Sequence, residues 1–142
     1  MSLEIRLFSV EEATRLARDL TPELDRLAGL KRELDQLEIR AGVLRLTVSA
    51  GGSSKSPEAR ELEELQARRS RAARDLAGGV KAIHRRGCLL KDLERGLLDF
   101  YALSGDRLVF LCWKRGEPEV SHWHGLEDGF AGRQPLDTSD LE

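Results

Sequence analysis

The sequence predicts an α+β protein in which a long antiparallel helical hairpin packs on a small antiparallel sheet of three or four strands. Three observations carry this expectation. A leucine series with alternating four- and three-residue steps runs from Leu16 to Val48, a second helical stretch opens at Ser56 and Pro57, and the period drops from helical to two after Gly87. The chain of 142 residues suits one domain over residues 1–136, large enough for a modest core without disulfides or structural metal.

The first stretch, "LEIRLF", alternates Leu3, Ile5 and Leu7 against Glu4 and Arg6, which reads as a half-buried strand over residues 3–8. Ser9 and Glu12 then have the reciprocal capping spacing that opens a helix near Val10. Thr21 and Pro22 predict a break or kink, because proline lacks the N–H and its ring crowds the preceding turn. From Leu16 onward, Leu20, Leu27, Leu30, Leu34, Leu37, Ala41, Leu44 and Val48 form a heptad seam that only Glu23 interrupts. The seam extends the helix to about residue 47, and "SAGGSSKS" at 49–56 reads as a mobile turn. Ser56 as cap and Pro57 as first helical residue start a second helix ending near Arg86, with Ala59, Leu62, Leu65, Ala72, Ala73, Leu76, Val80 and Ile83 inside.

The charges favour antiparallel pairing of these helices over residues 10–86. Glu58, Glu61, Glu63 and Glu64 open the second helix, and Arg68, Arg69, Arg71, Arg74, Lys81, Arg85 and Arg86 fill its later turns. Folding back sets the basic end beside Glu11, Glu12, Asp19, Glu23 and Asp25, and the acidic end beside Arg40 and Arg45, in accord with the helix dipoles.

Beyond Gly87, "GLLDFYAL", "RLVFLCW" and "EVSHWH" are joined by the turn signals "SGD" and "KRGEP" and read as a meander over about 96–124. A two-residue turn at Gly105 and Asp106 sets Asp99 opposite Cys112. A turn centred on Gly116 and Glu117 sets Ser121 opposite Cys112 and His124 opposite Val109. On that register Asp99 and His124 point to opposite faces, which argues against an acid–histidine dyad; contact between the two side chains would refute it. The acidic end, residues 137–142, reads as a disordered tail.

Composition narrows function more than it assigns it. Charged residues make up 34% of the chain yet the net charge is −2, so charge of both signs is dense on the surface and no overall basicity draws the chain to nucleic acid. Arg71, Arg74, Lys81 and Arg85 share a helical stripe that would suit phosphates, but no stacking aromatics interleave with it, and hairpin pairing explains the same charges. No apolar run approaches the roughly 20 residues of a membrane span. The N-terminus lacks a secretory pattern, so the expected location is cytoplasmic, with Cys88 and Cys112 as reduced thiols and Cys112 buried and inert. Nucleotide loops, HExxH and CxxC are absent from the sequence.

The stretch "SHWHGLEDGFAGRQP" at 121–135 concentrates polar, aromatic and glycine residues. His122 and His124, two apart on a strand, would face one side as a metal pair needs, but two imidazoles are too few and structural hydrogen bonding is the favoured reading. Asp99 is a lone acid among apolar neighbours and must be paired or uncharged if buried, with a salt bridge to Arg133 or Lys91, or a turn-capping role, as the expected readings. Arg133 would bind a carboxylate or phosphate, or pin its loop to the sheet. With Trp113 and Trp123, these residues complete the candidate ligand-binding set Asp99, Trp113, Trp123, His124 and Arg133. No cofactor is indicated, and catalytic residues stay unassigned.

"KDLERGLLDF" at 91–100, "LCWKRGEPEV" at 111–120 and "WHGLEDGFAGRQPL" at 123–136 resemble the signature of a prokaryotic domain of unknown function, family 2203, and the opening "LFSVEEATRL" resembles that family's start. The matching positions are Lys91, Asp92, Gly96, Leu97, Asp99, Phe100, Cys112, Trp113, Gly116, Glu117, Trp123, His124, Gly129, Gly132 and Arg133. The resemblance implies no activity, cofactor or catalytic residue.

Helices of roughly 40 and 45 Å would overhang a sheet roughly 20 Å across, which leaves seam residues between about Leu34 and Leu65 in need of a further surface. The sequence therefore predicts a non-enzymatic binding or interaction module that dimerises through its hairpin, with a small-molecule ligand compatible. The alternative is a small enzyme of metal-assisted or acid–base hydrolysis, with its site on the sheet and the 121–135 loop, His124 as acid–base or metal ligand and Arg133 as anion clamp.

Overall fold

A computed structural model of the chain describes residues 4–51 and 56–137. Two helices, α1 (Val10–Gly51) and α2 (Pro57–Arg85), precede an antiparallel sheet. Its strands are β1 (Leu89–Asp92), β2 (Leu97–Ser104), β3 (Arg107–Lys114), β4 (His122–His124) and β5 (Gln134–Pro135), each beside its sequence neighbour. The described residues divide into two compact units: those up to Asp25 and from Val80 onward, and the stretch Arg26–Gly79.

The helix starts follow the sequence. Ser9 Oγ accepts from the Glu12 backbone N–H at 3.1 Å while Glu12 Oε1 accepts from the Ser9 N–H at 3.0 Å, and Ser56 Oγ accepts from the Ala59 N–H at 3.1 Å. Pro22, however, lies inside α1 without breaking it. The Thr21 hydroxyl beside it donates back to the Ala17 carbonyl at 2.9 Å. The helix also runs through Gly42 and past residue 47 to Gly51. Of the expected mobile turn at 49–56, residues 52–55 lie outside the described residues, as do 138–142 of the expected tail.

In the Arg26–Gly79 unit the two helices pack on each other. Leu37, Ala41 and Leu65 are buried together, with Leu44 and Leu62 against them, as the heptad seam requires. Across the pair, Arg26 meets Asp75, Glu33 meets Arg68, Glu38 meets Arg69 and Arg40 meets Glu61, at 3.1 to 3.7 Å. These pairs are about half exposed, so each contributes at most about 1 kcal/mol and serves pairing direction more than stability.

In the other unit, the N-terminal turns of α1 cover one face of the sheet. Leu98, Phe100, Ala102, Val109, Leu111 and Trp113 point to this face and are buried. Phe8 meets Phe100 edge-on at 5.1 Å, and the Thr14 hydroxyl accepts from the Val120 N–H at 3.0 Å. The strand expected over residues 3–8 is not formed. Residues 4–9 are irregular and residue 3 lies outside the described residues. One backbone bond remains, from Phe8 N to Tyr101 O at 2.8 Å, beyond the point where β1 ends its pairing at Leu89 opposite Asp99. The sheet has five strands rather than three or four, because the short β1 and β5 join the expected meander.

The first register holds, with Asp99 opposite Cys112 and a tight turn at Gly105, whose φ of 64° favours glycine. The second is one residue out: His122 faces Cys112 and His124 faces Phe110. Seven residues, 115–121, link β3 to β4, and the Glu117 carboxylate accepts from the Lys114 N–H at 2.7 Å. A connection held by a side chain does not obey the two-residue rule, and a one-residue slip turns every side chain of the strand over. The expectation that Asp99 and His124 lie on opposite faces is thereby overturned.

Candidate functional site

The face of the sheet opposite Phe8 carries Leu97, Asp99, Phe110, Cys112, His122 and His124, by the alternation of β2 to β4. Asp99 and His124 are its buried polar residues, 3% and 2% exposed, amid Leu97, Phe110 and Cys112. Such groups must find partners or lose several kcal/mol. They find each other: His124 Nε2 is 3.1 Å from Oδ1 and 3.1 Å from Oδ2 of Asp99.

The other ring nitrogen fixes the tautomer. His124 Nδ1 is 2.7 Å from the Gly125 carbonyl, which can only accept, so Nδ1 carries the hydrogen. Nε2 then presents a lone pair to two carboxylate oxygens unless a cation sits between them. A proton there makes a buried imidazolium–carboxylate pair. The loop that supplies Gly125 is itself pinned, because its N–H donates to Asp128 Oδ2 at 3.1 Å. A Cβ at position 125 would stand 2.6 Å from that oxygen, so the close approach depends on glycine.

Cys112 completes the cluster. Among the described residues, a ligand atom from each of Asp99, Cys112 and His124 lies within 4.8 Å of the others, and all three residues are buried. Burial, then the Asp99 charge, pushes the Cys112 thiol up to about 11, while the neighbouring Arg133 guanidinium pulls the other way. Arg133 is itself held by two bonds to Glu117, at 3.1 and 3.0 Å, and stacks over Phe130 at 4.4 Å. Burial raises the Glu117 carboxyl, but hydrogen bonds from Arg133 and the Lys114 N–H, with the Arg133 charge, outweigh it and leave the carboxyl below its ordinary range.

The cluster opens onto a cavity of about 230 Å³, lined by the three residues together with Lys91, Leu97, Phe110, Leu126, Glu127, Gly129 and Phe130. Apolar walls, a cation and an acid from Lys91 and Glu127, and a buried polar floor are the arrangement of a small-ligand site. The volume lies below the roughly 300–1,000 Å³ of drug-sized pockets, so the cavity suits a small molecule.

Asp99 and His124 therefore come together, and their partner is neither Lys91 nor Arg133. Arg133 stands beside Cys112 but spends its guanidinium on Glu117. Trp113 points to the opposite face of the sheet and donates to the Glu117 carbonyl at 3.1 Å, and Trp123, paired with Leu111, points there as well. His122 shares the site face but bonds Ser121 Oγ at 2.9 Å and lies 3.8 Å from Glu117, apart from the His124 cluster. Cys112, read from sequence as buried and inert, is buried, and it joins the Asp99–His124 cluster, which the sequence reading did not anticipate although the first register already set it opposite Asp99.

No match is found among curated proteins or solved structures. The model of an uncharacterized conserved protein family, DUF2203, matches residues 6–136, nearly the whole chain, and the protein belongs to that family.

Proposed function

We propose that the protein is a small enzyme that binds a small anionic molecule in the sheet cavity and hydrolyses it at the site floored by the Asp99–His124 pair. The observation that carries this reading is a buried, mutually bonded acid and histidine on the floor of an open cavity. The pair lines a concavity rather than a sealed core, and Lys91 lines it too, as a cation that would attract an anion.

Small carboxylate esters and phosphate esters are the probes, added to isotope-labelled protein. Expected are amide shifts at Leu97, Phe110 and Gly125–Phe130, and hydrolysis that falls at least 100-fold in His124→Gln. Shifts confined to other residues, or turnover unchanged in the variant, would refute the reading.

A separate observation favours an interaction role. Ile39, Val43 and Leu46 are 68%, 59% and 74% exposed and follow one another four and three residues apart on α1. Leu37, Ala41 and Leu65 of the seam are buried within the hairpin, so this second stripe supports pairing with another copy of the chain, as a coiled-coil-like homodimer. Light scattering at micromolar concentration should give a dimer that Ile39→Lys with Leu46→Lys dissolves; a wild-type monomer refutes it. Among the described residues no helix is long and apolar enough to cross a membrane, and a cytoplasmic setting would keep both thiols reduced.

A further inference from the structure

We infer that Asp99, Cys112 and His124 form a mononuclear binding site for a divalent transition ion of the zinc type, with one coordination position open to the cavity. The inference deepens the hydrolytic reading above and rests on it for the role of the open position.

The donor set is the first argument. An imidazole nitrogen, a thiol sulfur and a carboxylate are the three ligand types zinc accepts, and three protein ligands plus one free position is the catalytic arrangement, where structural sites use four. A tetrahedral ion at ordinary bond lengths spaces such ligand atoms about 3.4 to 3.7 Å apart. The observed cluster, with 3.1 Å between His124 Nε2 and Asp99 and every ligand atom within 4.8 Å of the others, needs only small side-chain adjustments.

The second argument is orientation. A ligating histidine commonly donates its other N–H to a carbonyl, and His124 Nδ1 does so to Gly125, which aims the Nε2 lone pair at the cluster. Nε2 stands 3.1 Å from both carboxylate oxygens, so nitrogen and carboxylate face each other where an ion would bind.

Charge balance is the third. The carboxylate and a thiolate together match the two charges of the ion, so a filled site is neutral, as a buried site must be to avoid a large desolvation cost. On binding, the thiol proton and the proton between His124 and Asp99 leave to solvent as the metal–ligand bonds form. No oxidation or reduction is involved. Because all three ligands line the cavity, the free position faces it. There the ion can polarise the substrate or bind the attacking water.

The full-length protein is stripped with chelator and titrated with Co²⁺, then with Zn²⁺. Expected is about one ion per chain, a thiolate-to-Co²⁺ charge-transfer band in the near ultraviolet, and a melting temperature that rises with Zn²⁺ and falls back with chelator. The band should vanish in Cys112→Ser and persist in Cys88→Ser, and affinity should drop at least tenfold in Asp99→Ala and His124→Ala. Absence of the band in wild type, or its persistence in Cys112→Ser, overturns the metal site. The wild-type spectrum and melting shift decide the matter even if a variant fails to fold. If Co²⁺ binds with the band but neither ester class alters its visible spectrum, the metal site stands and the hydrolytic reading falls. If no metal binds while esters still shift Gly125–Phe130, the metal inference alone is lost.

Discussion

The bond between His124 and Asp99 can be weighed in metal-free protein by a double-mutant cycle. Their side chains are 2% and 4% exposed, so each group relies on the other for most of what it loses to water. Asp99→Ala and His124→Ala should each cost about 3–5 kcal/mol, the range for leaving one member of a buried charged pair uncompensated. Both also open space, but that contribution recurs in the double variant and cancels in the cycle. Removing the pair together leaves no orphaned charge, so the double variant should lie well above the sum of the singles, with a coupling energy of about 2–3 kcal/mol. For a chain of 142 residues, 1 kcal/mol moves the midpoint by about 3–4 °C, so each single variant should melt roughly 9–20 °C early. Urea unfolding in chelator gives the free energies, with equal slopes as the check that the unfolded reference is unchanged. Single variants within about 1 kcal/mol of wild type, or strict additivity, would show that the pair is not a coupled buried ion pair.

Other positions give independent tests. A Cβ on Gly78 meets nothing within 4 Å, whereas one on Gly79 would stand 2.5 Å from a methyl of Leu27, so Gly78→Ala should stabilise by about 0.5–1 kcal/mol and Gly79→Ala destabilise by about 1–3 kcal/mol in thermal melts. Burial lifts the Cys88 thiol to about 11 from 9.0; because the folded state holds its proton longer than the unfolded, Cys112→Ser protein should lose stability as pH rises between 9 and 11, and Cys88 should alkylate slowly at neutral pH. Glu117 titrates below its ordinary 4.5 when folded, so its contribution is full above that value and lost as pH falls below it; in Glu117→Gln, acid unfolding should depend less on pH there.

What the sequence makes legible is what short-range physics determines. The caps at Ser9 and Ser56 need only three residues, the heptad seam needs only its own period, and the Gly105 turn fixes β2 against β3 through two residues. Alternation in "LEIRLF" misleads because a period of two marks a strand only where the apolar side is buried. Past Asp99 the outer edge of β2 is free, yet Ile5 and Leu7 stay 49% and 46% exposed instead of packing on the sheet, and among the described residues one backbone bond, at Tyr101, joins the segment to it. Pro22 misleads in the other direction, because one lost backbone bond does not end a helix of 42 residues.

The site turns on the one register that local rules do not reach. The link from β3 to β4 is set by Glu117, which bonds the Lys114 N–H on one side and Arg133, sixteen residues on, on the other. An acid shared between a turn and a distant loop leaves no periodic trace in the sequence. Yet its placement decides which way β4 faces, and so whether His124 joins Asp99 and Cys112 or turns toward the helix-covered face. Glu117 and Arg133 therefore hold the cluster together without touching the Asp99 carboxylate. Glu117→Ala should leave the helices and β2–β3 pairing intact while weakening the β3–β4 register, and with it Co²⁺ affinity. Amide exchange that stays slow in β2 but quickens at His122–His124 is the expected result. Unchanged protection in β4 would mean that the register has another cause.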